Sequence, residues 1–89
     1  SSAVAAEVAR HSDAVRAAFT VGVNEFLELA ATQWPALPPA QARSRAIALY
    51  GLMAGTMQVA RATNDPATSD EVLAAGRHAA LELAGIEEG

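Results

Sequence analysis

Cysteine and lysine are absent from these 89 residues. Without cysteine there is no disulfide framework, no thiol nucleophile and no Cys-ligated zinc or iron–sulfur site. All six basic residues are arginines, set against ten acids, and the net charge is −4. With that charge and no basic stripe, the chain is a poor electrostatic match for phosphate backbones, so by itself it is not expected to bind nucleic acid. No apolar run approaches the roughly 18 residues of a membrane span. The longest, residues 46–58, is shorter and carries Tyr50, Thr56 and Gln58. No basic stretch precedes an apolar one near the start, so no signal peptide is read and a cytoplasmic location is expected. Strand signals are equally scarce: Val and Ile do not alternate with polar residues, and no Asn-Gly or Asp-Gly turn occurs.

Alanine fills the space the absent types leave, with 23 copies. At 52% hydrophobic and 18% charged residues, the chain is too apolar to be disordered. Its length allows one domain at most. Helical periodicity dominates, and it predicts an all-α, antiparallel bundle of about four helices. A short first helix covers about residues 3–10. A second, capped by Ser12 or Asp13, runs to about Gln33. Along it Val15, Phe19, Val23, Phe26, Leu27, Ala30 and Trp34 form one stripe, with Asn24 and Glu28 opposite. Pro35 and the segment Leu37-Pro38-Pro39 make the connection, because proline suits a first helical turn. The third helix spans about residues 39–62. The turn Thr63-Asn64-Asp65-Pro66 follows, and Thr68 or Ser69 caps the last helix, with Asp70 and Glu71 at the positive end of its dipole. Gly85 then suits a left-handed stop, with Ile86 folding back onto the last turn.

The third helix is apolar on opposite sides. Ile47, Tyr50, Ala54 and Met57 share one face, while Ala48, Leu52, Gly55 and Val59 share the other. A helix apolar all round must be covered all round, and short helices of one chain can hardly do it. Gly51, Gly55 and Gly76 point the same way, since a mid-helix glycine costs roughly 0.5–1 kcal/mol relative to alanine and something should compensate. Two readings stand. The glycines either ease crossings within one chain or let two copies pair their last two helices into a four-helix bundle about a two-fold axis. The interface would then hold Leu52, Gly55, Val59, Leu73, Gly76 and Ala80. On the other side Phe19, Val23, Phe26, Tyr50, Met53 and Met57 can line a pocket for an apolar small molecule, although such residues at helical spacing are also ordinary core.

Catalytic chemistry finds no foothold. Neither His11 nor His78 has a serine or carboxylate set by a recognisable motif, and no phosphate-binding or nucleophile-elbow pattern occurs. Glu71, His78 and Glu82 share one face of the last helix, where they could hold zinc or be a solvated face with a His–Glu pair. The solvated face is the expectation, so no metal, cofactor or enzymatic activity is assigned.

Residues 45–62 (RAIALYGLMAGTMQVARA), then Asn64-Asp65-Pro66 and Ser69-Asp70-Glu71-Val72-Leu73, resemble the C-terminal half of TetR/AcrR-type transcriptional repressors. Upstream, residues 5–10 (AAEVAR) and 15–19 (VRAAF) resemble the helices that precede it, so the likeness covers nearly the whole chain. The resemblance implies that residues 1–89 form a single regulatory and dimerisation domain. Its partners would be a second copy and an apolar effector, with DNA reached only through an N-terminal helix-turn-helix domain absent from these residues. The opening Ser1-Ser2-Ala3, in place of methionine, likewise reads as part of a longer protein. The resemblance further implies pairing through Leu52, Gly55, Val59, Leu73, Gly76 and Ala80, and a pocket side with Phe19, Val23, Phe26, Tyr50 and Met53. A free-standing helical interaction module using the same faces is the alternative.

Overall fold

The computed structural model describes residues 2–86, apart from the side chains of Ser2 and Val8. These residues hold three α-helices and no strand: α1 (Ser2–Ala31), α2 (Pro39–Ala62) and α3 (Pro66–Ala84). The all-α class expected from periodicity is present, but with three helices rather than about four. The expected break at His11-Ser12-Asp13 does not occur, and the first two helices are one. Neither proline nor glycine stands there. Serine and aspartate inside a helix cost only a few tenths of a kcal/mol each, and the surrounding alanines carry the helix through.

The ends of the helices follow local chemistry. After Ala31 the chain tightens into turns, with the amides of Thr32, Gln33 and Trp34 donating to the carbonyls of Leu29, Ala30 and Ala31. Helix α2 begins at Pro39, whose missing N–H would be unsatisfied at that position anyway. It ends at Ala62, where the Thr63 amide and hydroxyl both donate to the Val59 carbonyl, at 3.1 and 2.7 Å.

The cap of α3 is Asp65, not Thr68 or Ser69. Its carboxylate accepts from the Thr68 amide at 3.3 Å and from the Thr68 hydroxyl at 2.5 Å. Asp65 precedes a proline, which biases it towards extended backbone, the conformation a cap requires. With the start moved to Pro66, Asp70 and Glu71 fall outside the first turn. Ser69 instead donates across the hairpin to the Ala60 carbonyl at 2.9 Å. At the far end Gly85 has φ +80°, and the Ile86 amide reaches back to the Leu81 carbonyl at 2.9 Å. The backbone stop is the expected one, but the Ile86 side chain stays 58% exposed rather than covering the last turn.

Helix α2 packs against both neighbours. The arrangement is nearly a single layer, 58 × 40 × 13 Å. A layer one helix thick has almost no interior, and among the described residues only Leu27, Ala42, Ala46 and Ala60 are buried. Three of these four are alanines on α2, small enough to let α1 and α3 approach its axis. One end is pinned further by Trp34, whose indole N–H donates to the Ala84 carbonyl at 2.9 Å and whose ring lies 5.4 Å beneath the Arg45 guanidinium carbon. Arg43 adds a hydrogen bond to the Asn24 side chain at 2.8 Å. Beyond this packed end α1 runs out as an arm on which every described side chain of residues 3–22 is exposed.

Candidate functional site

The α2–α3 hairpin is the element from which a site can be built, because both of its faces are apolar and open. The helices cross where Thr56 meets Gly76. A Cβ placed on Gly76 would stand 2.3 Å from both Thr56 Cγ2 and Oγ1, and 2.8 Å from its Cβ. The missing side chain at Gly76 is therefore used within the chain. Gly51 and Gly55, one turn apart on α2, have nothing within 4 Å of the corresponding position. The two readings of the glycines thus divide by residue: Gly76 eases an internal crossing, and the other two face open space.

On one side of the crossing, Gly51, Leu52, Gly55, Val59, Val72 and Ala75 line a groove of about 480 Å³. On the other, Met53, Met57, Leu73, Arg77, Ala80 and Leu81 line one of about 550 Å³. Thr56 and Gly76 border both. The six residues expected at an interface are therefore distributed over two faces. Leu52, Gly55 and Val59 stand on the glycine side, Leu73 and Ala80 on the methionine side, and Gly76 between them. The reason is geometric: Leu73 and Ala80 share a stripe with Gly76, but α3 presents that stripe across the crossing rather than alongside Leu52 and Val59.

The residues expected to line a pocket also separate into two neighbourhoods. Phe19 and Phe26 of α1 pack edge-on against Tyr50 of α2, with ring centroids 6.5 and 5.4 Å apart, and Val23 is half-buried on the same helix. T-shaped pairs of this kind are favoured by the ring quadrupoles. Met53 and Met57, 40% and 48% exposed, lie further along α2 and line the groove shared with α3. Arg77 and Leu81 complete that groove, and sequence reasoning passed over them. Their spacing from Leu73, four and eight residues, was the available signal.

His78 Nε2 lies 2.6 Å from Glu82 Oε1, one turn away on an exposed face, and Glu71 does not join them: among the described residues no three such groups converge to hold a metal. The hydroxyl of Thr68 and then its amide hold the Asp65 carboxyl below its ordinary value of 3.8. No described helix is long and apolar enough to cross a membrane.

Comparison with protein-family models, curated proteins and solved structures finds no match for this chain.

Proposed function

We propose that this chain is the effector-sensing and dimerisation domain of a TetR-type transcriptional repressor, coupling small-molecule binding to DNA release by a helix-turn-helix domain outside these residues. The observation that carries the pairing is the open space in front of Gly51 and Gly55. Each glycine weakens α2, and among the described residues none comes within 4 Å of where its Cβ would stand, whereas a second α2 crossing there would use both for close approach. Leu52, Val59, Val72 and Ala75 supply apolar surface around that crossing.

The exposed area supports the same reading. The chain presents 6596 Å², against about 4,900 Å² expected for a folded monomer of 9.1 kDa. The excess of about 1,700 Å² is more than the roughly 800 Å² that each partner buries in a standard interface.

In this reading the methionine-lined groove is the effector side. The two grooves share Thr56 and Gly76, so a molecule that shifts α3 against α2 in one groove reshapes the face across the crossing. An effector favouring one hairpin geometry would then favour one dimer arrangement, and with it one spacing of the attached DNA-reading domains. Size-exclusion chromatography with light scattering tests the pairing. A mass of twice 9.1 kDa at micromolar concentration is expected, and a lone-chain mass would overturn the assignment.

A further inference from the structure

The outer part of α1 keeps apolar side chains in the open. Val4, Val15 and Phe19 are 61%, 64% and 61% exposed. At 3.6 residues per turn they fall within about 60° of one another and form one stripe. A helix draws most of its stability from packing such a stripe.

The sequence of this arm is symmetrical about its own middle. Read outward from the midpoint between His11 and Ser12, residues 11 to 4 and 12 to 19 match in kind at every step. Alanines at 9, 6 and 5 answer alanines at 14, 17 and 18, Val8 answers Val15, and Val4 answers Phe19. The charges invert: Arg10 answers Asp13, and Glu7 answers Arg16. The match stops at Ala3 and Thr20, just past Phe19, whose ring meets Tyr50 of α2 at 6.5 Å. An interface about a two-fold axis sets residue i beside j and j beside i, and a stretch that matches itself from both ends meets that condition.

We infer that residues 4–19 of two copies lie antiparallel about a two-fold axis between His11 and Ser12, joined through the stripe of Val4, Val15 and Phe19. Charge selects both the partner and the direction. The arm carries two acids and two arginines, a net charge of zero in a chain of −4, so two copies approach here without the repulsion the rest carries. Antiparallel, each acid is level with a base of the second copy. Parallel arms would set Glu7 level with Glu7 and Arg16 level with Arg16, which is unfavourable. Area allows the contact: a standard interface at the hairpin hides roughly 800 Å² per partner, about half of the excess exposed area. The arm stripe is narrow and about 22 Å long. Its pairing is therefore the weaker of the two and links hairpin pairs above micromolar concentration.

The chain has no cysteine, so one introduced thiol reports on the arm by itself. Ser12→Cys sets two thiols beside the axis, within disulfide reach, whereas Ala5→Cys holds them about 20 Å apart. Under mild oxidation well above micromolar concentration, Ser12→Cys should form linked pairs at least about tenfold faster than Ala5→Cys, because neighbouring thiols meet at millimolar effective concentration. In the Ser12→Cys chain at low salt, Arg16→Glu should slow linking and adding Glu7→Arg should restore it. Circular dichroism checks that each variant stays helical. Ala5→Cys linking as fast as Ser12→Cys would overturn the antiparallel arrangement. Ser12→Cys linking no faster in buffer than in denaturing urea would overturn the pairing of arms altogether. A double charge variant as slow as Arg16→Glu would overturn the matching of charges by level. A lone-chain mass at micromolar concentration with rapid Ser12→Cys linking above it refutes the hairpin pairing and supports the arm, and a dimer without such linking does the reverse.

Discussion

Adding one methyl group at each of three helical glycines separates their roles, and the sign of the effect differs between them. In the lone chain Gly51→Ala and Gly55→Ala meet nothing within 4 Å. Each should stabilise the fold by about 0.5–1 kcal/mol, the difference in helix propensity between the two residues. Gly76→Ala gains the same propensity, but its methyl meets Thr56 at 2.3 Å. Thr56 cannot swing aside cheaply. A threonine is branched at Cβ and stiff at χ1, and its own Cβ stands only 2.8 Å away. The helices must therefore separate, at the roughly 1–3 kcal/mol typical of overpacking, which leaves a net loss of about 0–2.5 kcal/mol and puts Gly76→Ala about 1–3 kcal/mol behind Gly51→Ala and Gly55→Ala.

Urea denaturation followed by circular dichroism, at protein concentrations low enough to keep the chain monomeric, reads these signs. Sedimentation equilibrium on the same proteins reads the association constant. There Gly51→Ala and Gly55→Ala should weaken pairing by about tenfold or more each, since the new methyls occupy the contact between copies. Thr56→Ala should recover part of the Gly76→Ala loss in a double-mutant cycle, as expected of two residues in direct contact. A Gly76→Ala protein stabilised as much as Gly51→Ala and Gly55→Ala would refute the close crossing. Gly55→Ala that leaves association untouched would remove the argument for pairing through that face.

Other outcomes follow from the packed end and the cap. Leu27→Ala should cost about 2–5 kcal/mol, a large share of the stability of a layer with four buried residues among those described, and thermal unfolding checks it. Trp34→Phe removes the indole donor to the Ala84 carbonyl and should lower stability by about 0.5–1.5 kcal/mol, read as a lower urea midpoint. Asp65→Ala should fray the start of α3, seen as faster amide exchange over its first turn, whereas Asp65→Asn should preserve the cap. Because the folded Asp65 carboxyl titrates below its ordinary value of 3.8, its contribution is present above that pH and lost as pH falls through the lower folded value. Asp65→Asn should therefore flatten the pH dependence of the melting temperature in that acid range.

Much of the local architecture was legible from the residues alone. Pro39, Ala62 and Gly85 mark boundaries that the structure keeps, because a missing N–H or a permitted positive φ is a property of a residue and its immediate neighbours. Local signals misled where two of them competed. Ser12-Asp13 has the composition of a cap but sits inside a continuous helix, and Thr68 serves as the partner of the Asp65 cap rather than as the cap itself.

Composition and the 3.6-residue period determined that this chain is all helix, that α2 is apolar around its circumference, and that α3 carries a small-centred stripe. Those follow from bonds between residues three and four apart. Only the tertiary structure decided that Gly76 is filled by Thr56 while Gly51 and Gly55 are not, and that Leu73 and Ala80 share a groove with Met53 and Met57. Three mid-helix glycines look alike in a string of letters. They differ only in what another helix, placed by a crossing many residues away, brings up against them.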